Sequence, residues 1–171
     1  LVRWPGRIKP GSASNALCQY VDVLPTMIEA AGGKPADLKA GLADANGKVG
    51  FDGKSFMGVL LGKTTTHGEY VYGVHTTRGI INGSEAWPIR SASDGRYKLI
   101  RNLNHTTPFR NVITKPREGS KTGTHYYEPN TLQSWRKAGG AAAKRAAFYA
   151  TRPAVELYDL KTDPWELENR A

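Results

Sequence analysis

A tight turn between two strand-like segments constrains the fold of this chain more than any other feature. Ser93-Asp94-Gly95 carries an Asp-Gly pair, which readily takes the positive φ angles of a hairpin turn. Ile89–Ala92 before the turn and Tyr97–Leu103 after it contain the β-branched and aromatic residues typical of strands. A connection this short joins antiparallel neighbours. Together with the strand-like Tyr70–Val74, the turn predicts an antiparallel meander that the other segments must cover.

Helical segments with recognisable ends lie on both sides of the meander. Asp22 precedes an apolar stripe that Gly32-Gly33 ends, which predicts a helix over residues 22–31. Ser55 opens a shorter predicted helix over residues 55–61, with its apolar side chains on one face. The remaining predicted elements are strands at Leu1–Trp4 and Val155–Leu160 and helices at residues 129–138 and 141–150, separated by Gly139-Gly140.

Composition bounds the classes of function. The net charge of +9 favours polyanionic partners, but the basic residues are scattered rather than clustered, and no nucleic-acid-binding motif accompanies them. We therefore expect no nucleic-acid partner. A membrane-spanning helix needs about eighteen consecutive apolar residues, and the sequence has no such run. Cys18 is the only cysteine, so neither an intrachain disulfide nor a zinc cluster is expected.

The residues alone do not predict a complete active site. No nucleophile elbow, phosphate-binding glycine loop or pair of histidines at metal-binding spacing occurs. His75 at the end of a strand has two interpretations: a histidine that a backbone carbonyl satisfies, or a contact for a glycan or an anion. Arg90 is expected to be a buried strand arginine paired with an acid. His105 and His125 lie in the irregular stretch after the meander, where functional loops are common.

Four stretches, in the same order along the chain, resemble motifs of sulfatases. Val2-Arg3-Trp4-Pro5-Gly6 resembles the segment "VRWPG", and Val21-Asp22-Val23-Leu24-Pro25-Thr26 resembles the helix "VDLxPT". Asp52-Gly53-Lys54-Ser55-Phe56 resembles "DGxSF", and Glu156-Leu157-Tyr158-Asp159-Leu160 with Asp163-Pro164 resembles "ELYDLxxDP". Trp87-Pro88-Ile89-Arg90-Ser91 and Tyr97-Lys98-Leu99-Ile100-Arg101 are most similar to heparan N-sulfatase, the N-sulfoglucosamine sulfohydrolase group.

This resemblance implies an alkaline-phosphatase-like α/β fold, with α+β organisation in this part. Residues 1–64 would form the C-terminal end of the large domain. Residues 65–171 would form a C-terminal subdomain, in which helices pack on a small antiparallel sheet. The resemblance also implies hydrolysis of sulfate esters or sulfamates by a formylglycine beside a calcium ion. The formylglycine is made from the first residue of a C/S-x-P-x-R motif.

The catalytic and metal residues of the family are not expected in this chain. Cys18 lies in Leu17-Cys18-Gln19-Tyr20, which lacks the Pro and Arg of the motif, so Cys18 is not the nucleophile. Calcium and formylglycine are expected only in the full-length enzyme, and this chain alone is expected to be inactive. The resemblance implies substrate contacts from the C-terminal subdomain, and His75, Thr76 and Arg78 are the candidates, with His105 and His125 weaker. It further implies a sulfated glycan substrate, a missing N-terminal large domain as partner, and a periplasmic, extracellular or lysosomal location.

Two alternatives remain at the level of the sequence. The same superfamily includes phosphomonoester and phosphonate hydrolases, and the residues that distinguish them would lie upstream of Leu1. A polyanion-binding module without catalysis is the second alternative. It predicts an independently stable domain whose binding to heparin depends on salt.

Overall fold

The computed structural model describes residues 1–38, 43, 45, 47, 49–75, 87–109 and 130–171. The chain divides into two compact units, Leu1–Val71 and Tyr72–Ala171. The predicted division into residues 1–64 and 65–171 stays a prediction, because it concerns the domains of a longer enzyme. No helix within the described ranges is long and apolar enough to cross a membrane.

The first unit is built around two helices, α1 (Val23–Ala30) and α2 (Met57–Leu60). Both coincide with predicted helices, although α2 is shorter than residues 55–61. The Ser55 hydroxyl accepts a hydrogen bond from the Met57 amide at 3.2 Å, so Ser55 stabilises the start of α2 as expected. Short turns of 3-10 helix at Tyr20–Asp22 and Pro35–Asp37 flank α1.

The strand predicted at Leu1–Trp4 is wrong. These residues have no regular secondary structure, and the chain turns at once, because the Trp4 carbonyl accepts hydrogen bonds from the amides of Arg7 and Ile8. A strand requires a neighbour that pairs with its backbone groups, and no described residue pairs with this segment. Strand-like composition was therefore not sufficient.

The second unit contains most of a four-stranded sheet in the order β1-β2-β3-β4. Its strands are β1 (Val71–His75), β2 (Ile89–Ser93), β3 (Tyr97–Asn102) and β4 (Val155–Asp159). β2 and β4 both run antiparallel to β3, with Ser91 opposite Ile100 and Leu99 opposite Leu157. The predicted turn connects β2 to β3: the Asp94 carboxylate accepts hydrogen bonds from the amides of Arg96 and Tyr97, and Gly95 has a φ of 91°.

Helices α3 (Asn130–Ala138) and α4 (Gly140–Ala150) follow the meander and contact each other. The backbone reverses between them at Gly139, whose φ of 72° favours glycine. Trp87, Ile100, Ala146 and Tyr158 are the buried hydrophobic residues of this unit within the described ranges. The predicted combination of a small antiparallel sheet with helices is confirmed.

A buried carboxylate lies on β4. Glu156 has no exposed surface, and each of its oxygens accepts two hydrogen bonds. The donors are Asn102 Nδ2 at 2.6 Å, Arg152 Nε at 2.8 Å, Arg152 Nη2 at 2.7 Å and the Tyr158 hydroxyl at 2.5 Å. Burial raises the pKa of Glu156, but these donors outweigh it and lower the pKa below its ordinary value.

Candidate functional site

His75, the last residue of β1, is held against the chain that enters β2. Its Nδ1 atom lies 3.1 Å from the carbonyl oxygen of Trp87. A carbonyl oxygen only accepts hydrogen bonds, so Nδ1 carries the proton in this contact. The residue is otherwise exposed. The structure thus contains the backbone contact of the first interpretation, and that contact occupies only one of the two ring nitrogens.

Trp87 gives His75 a rigid support. Only 1% of Trp87 is exposed, and its indole packs edge-on against the Phe109 ring with centroids 4.9 Å apart. The indole Nε1 donates a hydrogen bond to the Thr107 carbonyl at 3.2 Å. The backbone next to Trp87 is fixed as well, because the Pro88 carbonyl accepts from the Leu103 amide at 3.0 Å. The carbonyl that binds His75 therefore belongs to a well-anchored segment.

Arg90 contacts His75 rather than the acid that the sequence predicts. Its Nη1 atom donates to the His75 carbonyl at 3.3 Å and to the Ile89 carbonyl at 2.9 Å. The register explains the difference, since the residue opposite Arg90 on β3 is Arg101, which brings a like charge instead of a counter-ion. Among the described residues, no acid partner of Arg90 is found.

The other candidate residues are only partly placed. Thr76, Arg78 and His125 lie outside the described residues. His105 is exposed in the turn that follows β3, and no described contact joins it to His75. The same turn leads to Thr107, which binds the indole of Trp87. His75 and the turn of His105 thus approach the same tryptophan from different segments.

The acids on and after β4 pair with several cations on or beside the sheet. Arg96 pairs with Asp159 at 3.1 Å, Lys98 with Glu166 at 2.7 Å, and Arg152 with Glu156 at 2.7 Å. The hydrogen bond from Arg96 lowers the pKa of Asp159 below its ordinary value. No described acid pairs with Arg90 or Arg101. Counting only the residues that the structure describes, the end of the sheet that carries His75 retains positive charge, which suits an anionic ligand.

The first unit has a polar cluster of its own around Asp22. Asp22 is buried and accepts hydrogen bonds from the amides of Gln19 at 2.8 Å and Lys54 at 3.0 Å. His67 Nε2 lies 3.2 Å from its carboxylate, close enough for an ion pair but not aligned as a hydrogen bond. Burial raises the pKa of Asp22, but the two amides and His67 together lower it below its ordinary value. This cluster joins α1 to two loops rather than opening to a ligand.

The described residues do not fit the cofactors that the resemblance implies. No three His, Cys, Asp or Glu side chains within the described parts of the chain lie together as metal ligands. Cys18 is exposed, but desolvation by its neighbours and the negative charge of Asp22 still raise the pKa of its thiol, whereas a nucleophilic cysteine needs a lowered pKa. No chemical step is therefore assigned to calcium or formylglycine within this chain.

Comparisons with known proteins confirm the resemblance to sulfatases. The whole chain is 38% identical to part of an ulvan-active sulfatase of Formosa agariphila and 26% identical to part of a second ulvan-active sulfatase of that organism. It spans 28% and 24% of these relatives. The solved structure of BT4656 in complex with its substrate D-glucosamine-2-N,6-O-disulfate matches 98% of the chain with a TM-score of 0.53 at 20% identity, over 22% of its own length. This likeness supports the fold. No protein-family model matches the chain.

Proposed function

Because the whole chain is homologous to part of a sulfatase, we propose that it is the C-terminal portion of an enzyme that hydrolyses sulfate esters or sulfamates of sulfated glycans. The observation that carries this proposal is the 38% identity over the full chain to an ulvan-active sulfatase. The positive end of the sheet is consistent with an anionic substrate. N-sulfoglucosamine-like sugars are the target that the motifs of the second unit favour.

In this proposal, His75 at the end of β1 contacts the substrate together with Thr76 and Arg78, which follow it in the sequence. The exposed ring of His75, held by the Trp87 carbonyl, is the observation that favours this role. Arginine binds a sulfate group as it binds phosphate, through two parallel N–H donors, which is the reason to include Arg78. The contribution of this chain is thus recognition and orientation of the sugar.

The portion outside this chain would supply the chemistry. Calcium and formylglycine would be held there, where they would stabilise developing charge and provide the nucleophile. The missing large domain is in this sense a partner of the chain. A periplasmic, extracellular or lysosomal location is part of the same proposal.

The test is sulfate release by the full-length protein from ulvan oligosaccharides and from D-glucosamine-2-N,6-O-disulfate, measured by ion chromatography. We expect release from at least one of them, and a heat-inactivated sample serves as the control. The 171-residue chain alone should release nothing from an aryl sulfate with added calcium. Absence of sulfate release by the full-length protein from every sulfated sugar would overturn the proposal.

Two alternatives give different results. A phosphohydrolase of the same superfamily would release phosphate from sugar phosphates and leave the sulfated sugars intact. A polyanion-binding module would hydrolyse neither ester and would bind heparin in a salt-dependent way. The homology to sulfatases favours sulfate hydrolysis over both.

A further inference from the structure

We propose that Arg90 is a positioning residue that, with Trp87, holds His75 so that its Nε2 atom accepts a hydrogen bond from a hydroxyl group of the sugar. This inference rests on the proposed function, since it concerns the same substrate contact. It adds two things: a role for Arg90, and the chemical class of group that His75 recognises.

The contact between His75 and Trp87 determines which ring nitrogen carries hydrogen. Nδ1 lies 3.1 Å from a carbonyl oxygen, which has no hydrogen to donate. In a neutral imidazole only one nitrogen carries hydrogen, so donation from Nδ1 leaves Nε2 with a free lone pair. Among the described residues, no group donates to Nε2. The exposed edge of the neutral ring is therefore a hydrogen-bond acceptor.

This edge discriminates between the groups of a sulfated sugar. The oxygens of a sulfate group are acceptors and cannot satisfy an acceptor nitrogen. A sugar hydroxyl can donate to Nε2, while cationic side chains bind the sulfate group. The neutral His75 ring thus selects a hydroxyl neighbour of the sulfate rather than the sulfate itself.

Arg90 fixes the backbone of His75 from the other side. Its Nη1 atom bridges the carbonyls of His75 and Ile89, at 3.3 Å and 2.9 Å, and so ties the end of β1 to β2. Trp87 supplies the second anchor through its buried indole. Arg90 thus fixes the backbone of His75, and Trp87 fixes its ring. A lysine at position 90 would place a strongly hydrated ammonium at the end of a flexible stem, so it should hold the two carbonyls less well.

The primary test is the tautomer of His75 in the full-length protein, read from nitrogen chemical shifts after isotopic labelling of histidine. The His75→Asn variant assigns the signal. We expect hydrogen on Nδ1 and none on Nε2 in the neutral ring. In Arg90→Lys we expect a mixture of tautomers, while Arg101→Lys, a matched control at the opposite cross-strand position, leaves the signal unchanged. Hydrogen on Nε2 in the unmodified protein, or no response to Arg90→Lys, overturns the inference.

The second test distinguishes the acceptor role of His75 Nε2 from the anchoring role of Nδ1. It uses kinetics on the sulfated sugar that the full-length protein hydrolyses. A Gln side chain can place an oxygen where Nε2 lies, whereas Asn can replace only the Nδ1 donor. We expect His75→Asn to raise KM about tenfold and His75→Gln to raise it less, because only Gln can restore the lost hydrogen bond. Monodeoxy analogues of the sugar identify the hydroxyl. The analogue that lacks it should have a higher KM than the parent sugar with the unmodified protein, and this difference in KM should disappear in His75→Asn.

The outcomes distinguish this inference from the proposed function. Sulfate release with equal KM values for both His75 variants, or with no deoxy analogue affected, refutes the hydroxyl contact and leaves the sulfatase activity standing. No sulfate release from any sulfated sugar refutes the proposed function and, with it, the contact. The tautomer measurement needs no substrate and decides the role of Arg90 in either case.

Discussion

Removal of the Arg152 charge should destabilise the second unit more than removal of both members of its ion pair. Arg152 donates two of the four hydrogen bonds that Glu156 accepts, and Glu156 is completely buried. In Arg152→Met, the carboxylate stays buried without its counter-charge. The Tyr158 hydroxyl and the Asn102 amide remain as its donors, and neither of them carries a charge.

The expected magnitudes follow from this geometry. Breaking a buried ion pair on one side costs about 3–5 kcal/mol, and we expect about 3 kcal/mol here because the Arg152 side chain is 20% exposed. The double variant Arg152→Met/Glu156→Met removes the buried charge and keeps a similar volume. It leaves Tyr158 without its acceptor, while Asn102 still donates to the Pro153 carbonyl at 2.7 Å. We expect the double variant to lose about 1–2 kcal/mol.

Urea denaturation of the chain, followed by tryptophan fluorescence, measures these free energies of unfolding. Equal m-values among the variants are the control for an unchanged unfolding reaction. Additive losses, with the double variant less stable than Arg152→Met, would refute the reasoning, because they would mean that the buried charge carries no penalty of its own. Equal stability of Arg152→Met and the unmodified chain would refute it as well.

Three further predictions concern other parts of the chain. The pKa of Glu156 is lower in the folded chain than in the unfolded chain, so its ionised form stabilises the fold above the unfolded pKa of about 4.3. This stabilisation is lost as the pH falls through the folded pKa. In Glu156→Gln, the free energy of unfolding should therefore depend less on pH in the acid range. Arg101→Thr should raise the free energy of unfolding, measured by urea denaturation, by about 0.5 kcal/mol, because Arg101 lies opposite the like charge of Arg90 on the neighbouring strand. A lower free energy of unfolding would contradict this. Thr26→Val should cost about 1–3 kcal/mol in the same assay, since the buried hydroxyl donates to the Asp22 carbonyl and accepts from the Phe56 amide; an unchanged unfolding midpoint would contradict it.

The pairing of β2 with β3 was predictable because local chemistry determines it. Asp94 and Gly95 form the turn through their own side chain and backbone angles, so the sequence alone indicates which strands pair. The helix ends at Gly32 and Gly139 follow from the same kind of local signal. The strand predicted at Leu1–Trp4 failed because a strand depends on a neighbour, and sequence composition does not report one.

The contacts that join distant residues were not predictable in this way. Glu156 and Asn102 lie far apart in the chain, and nothing local to either residue indicates a buried hydrogen bond between them. Arg90 was assigned an acid partner because buried arginines usually have one, yet its position opposite Arg101 depends on the register of β2 and β3. His75 was singled out from its place at a strand end, but the contact with the Trp87 carbonyl required the fold.

The most direct test of the central claim compares two matched esters with the full-length protein. The rates of hydrolysis of para-nitrophenyl sulfate and para-nitrophenyl phosphate are measured under the same conditions, with calcium added, from the release of the same phenol. We predict faster hydrolysis of the sulfate ester, because the chain is homologous over its whole length to part of an ulvan-active sulfatase. Hydrolysis of the phosphate ester alone would contradict it and assign the chain to a phosphohydrolase.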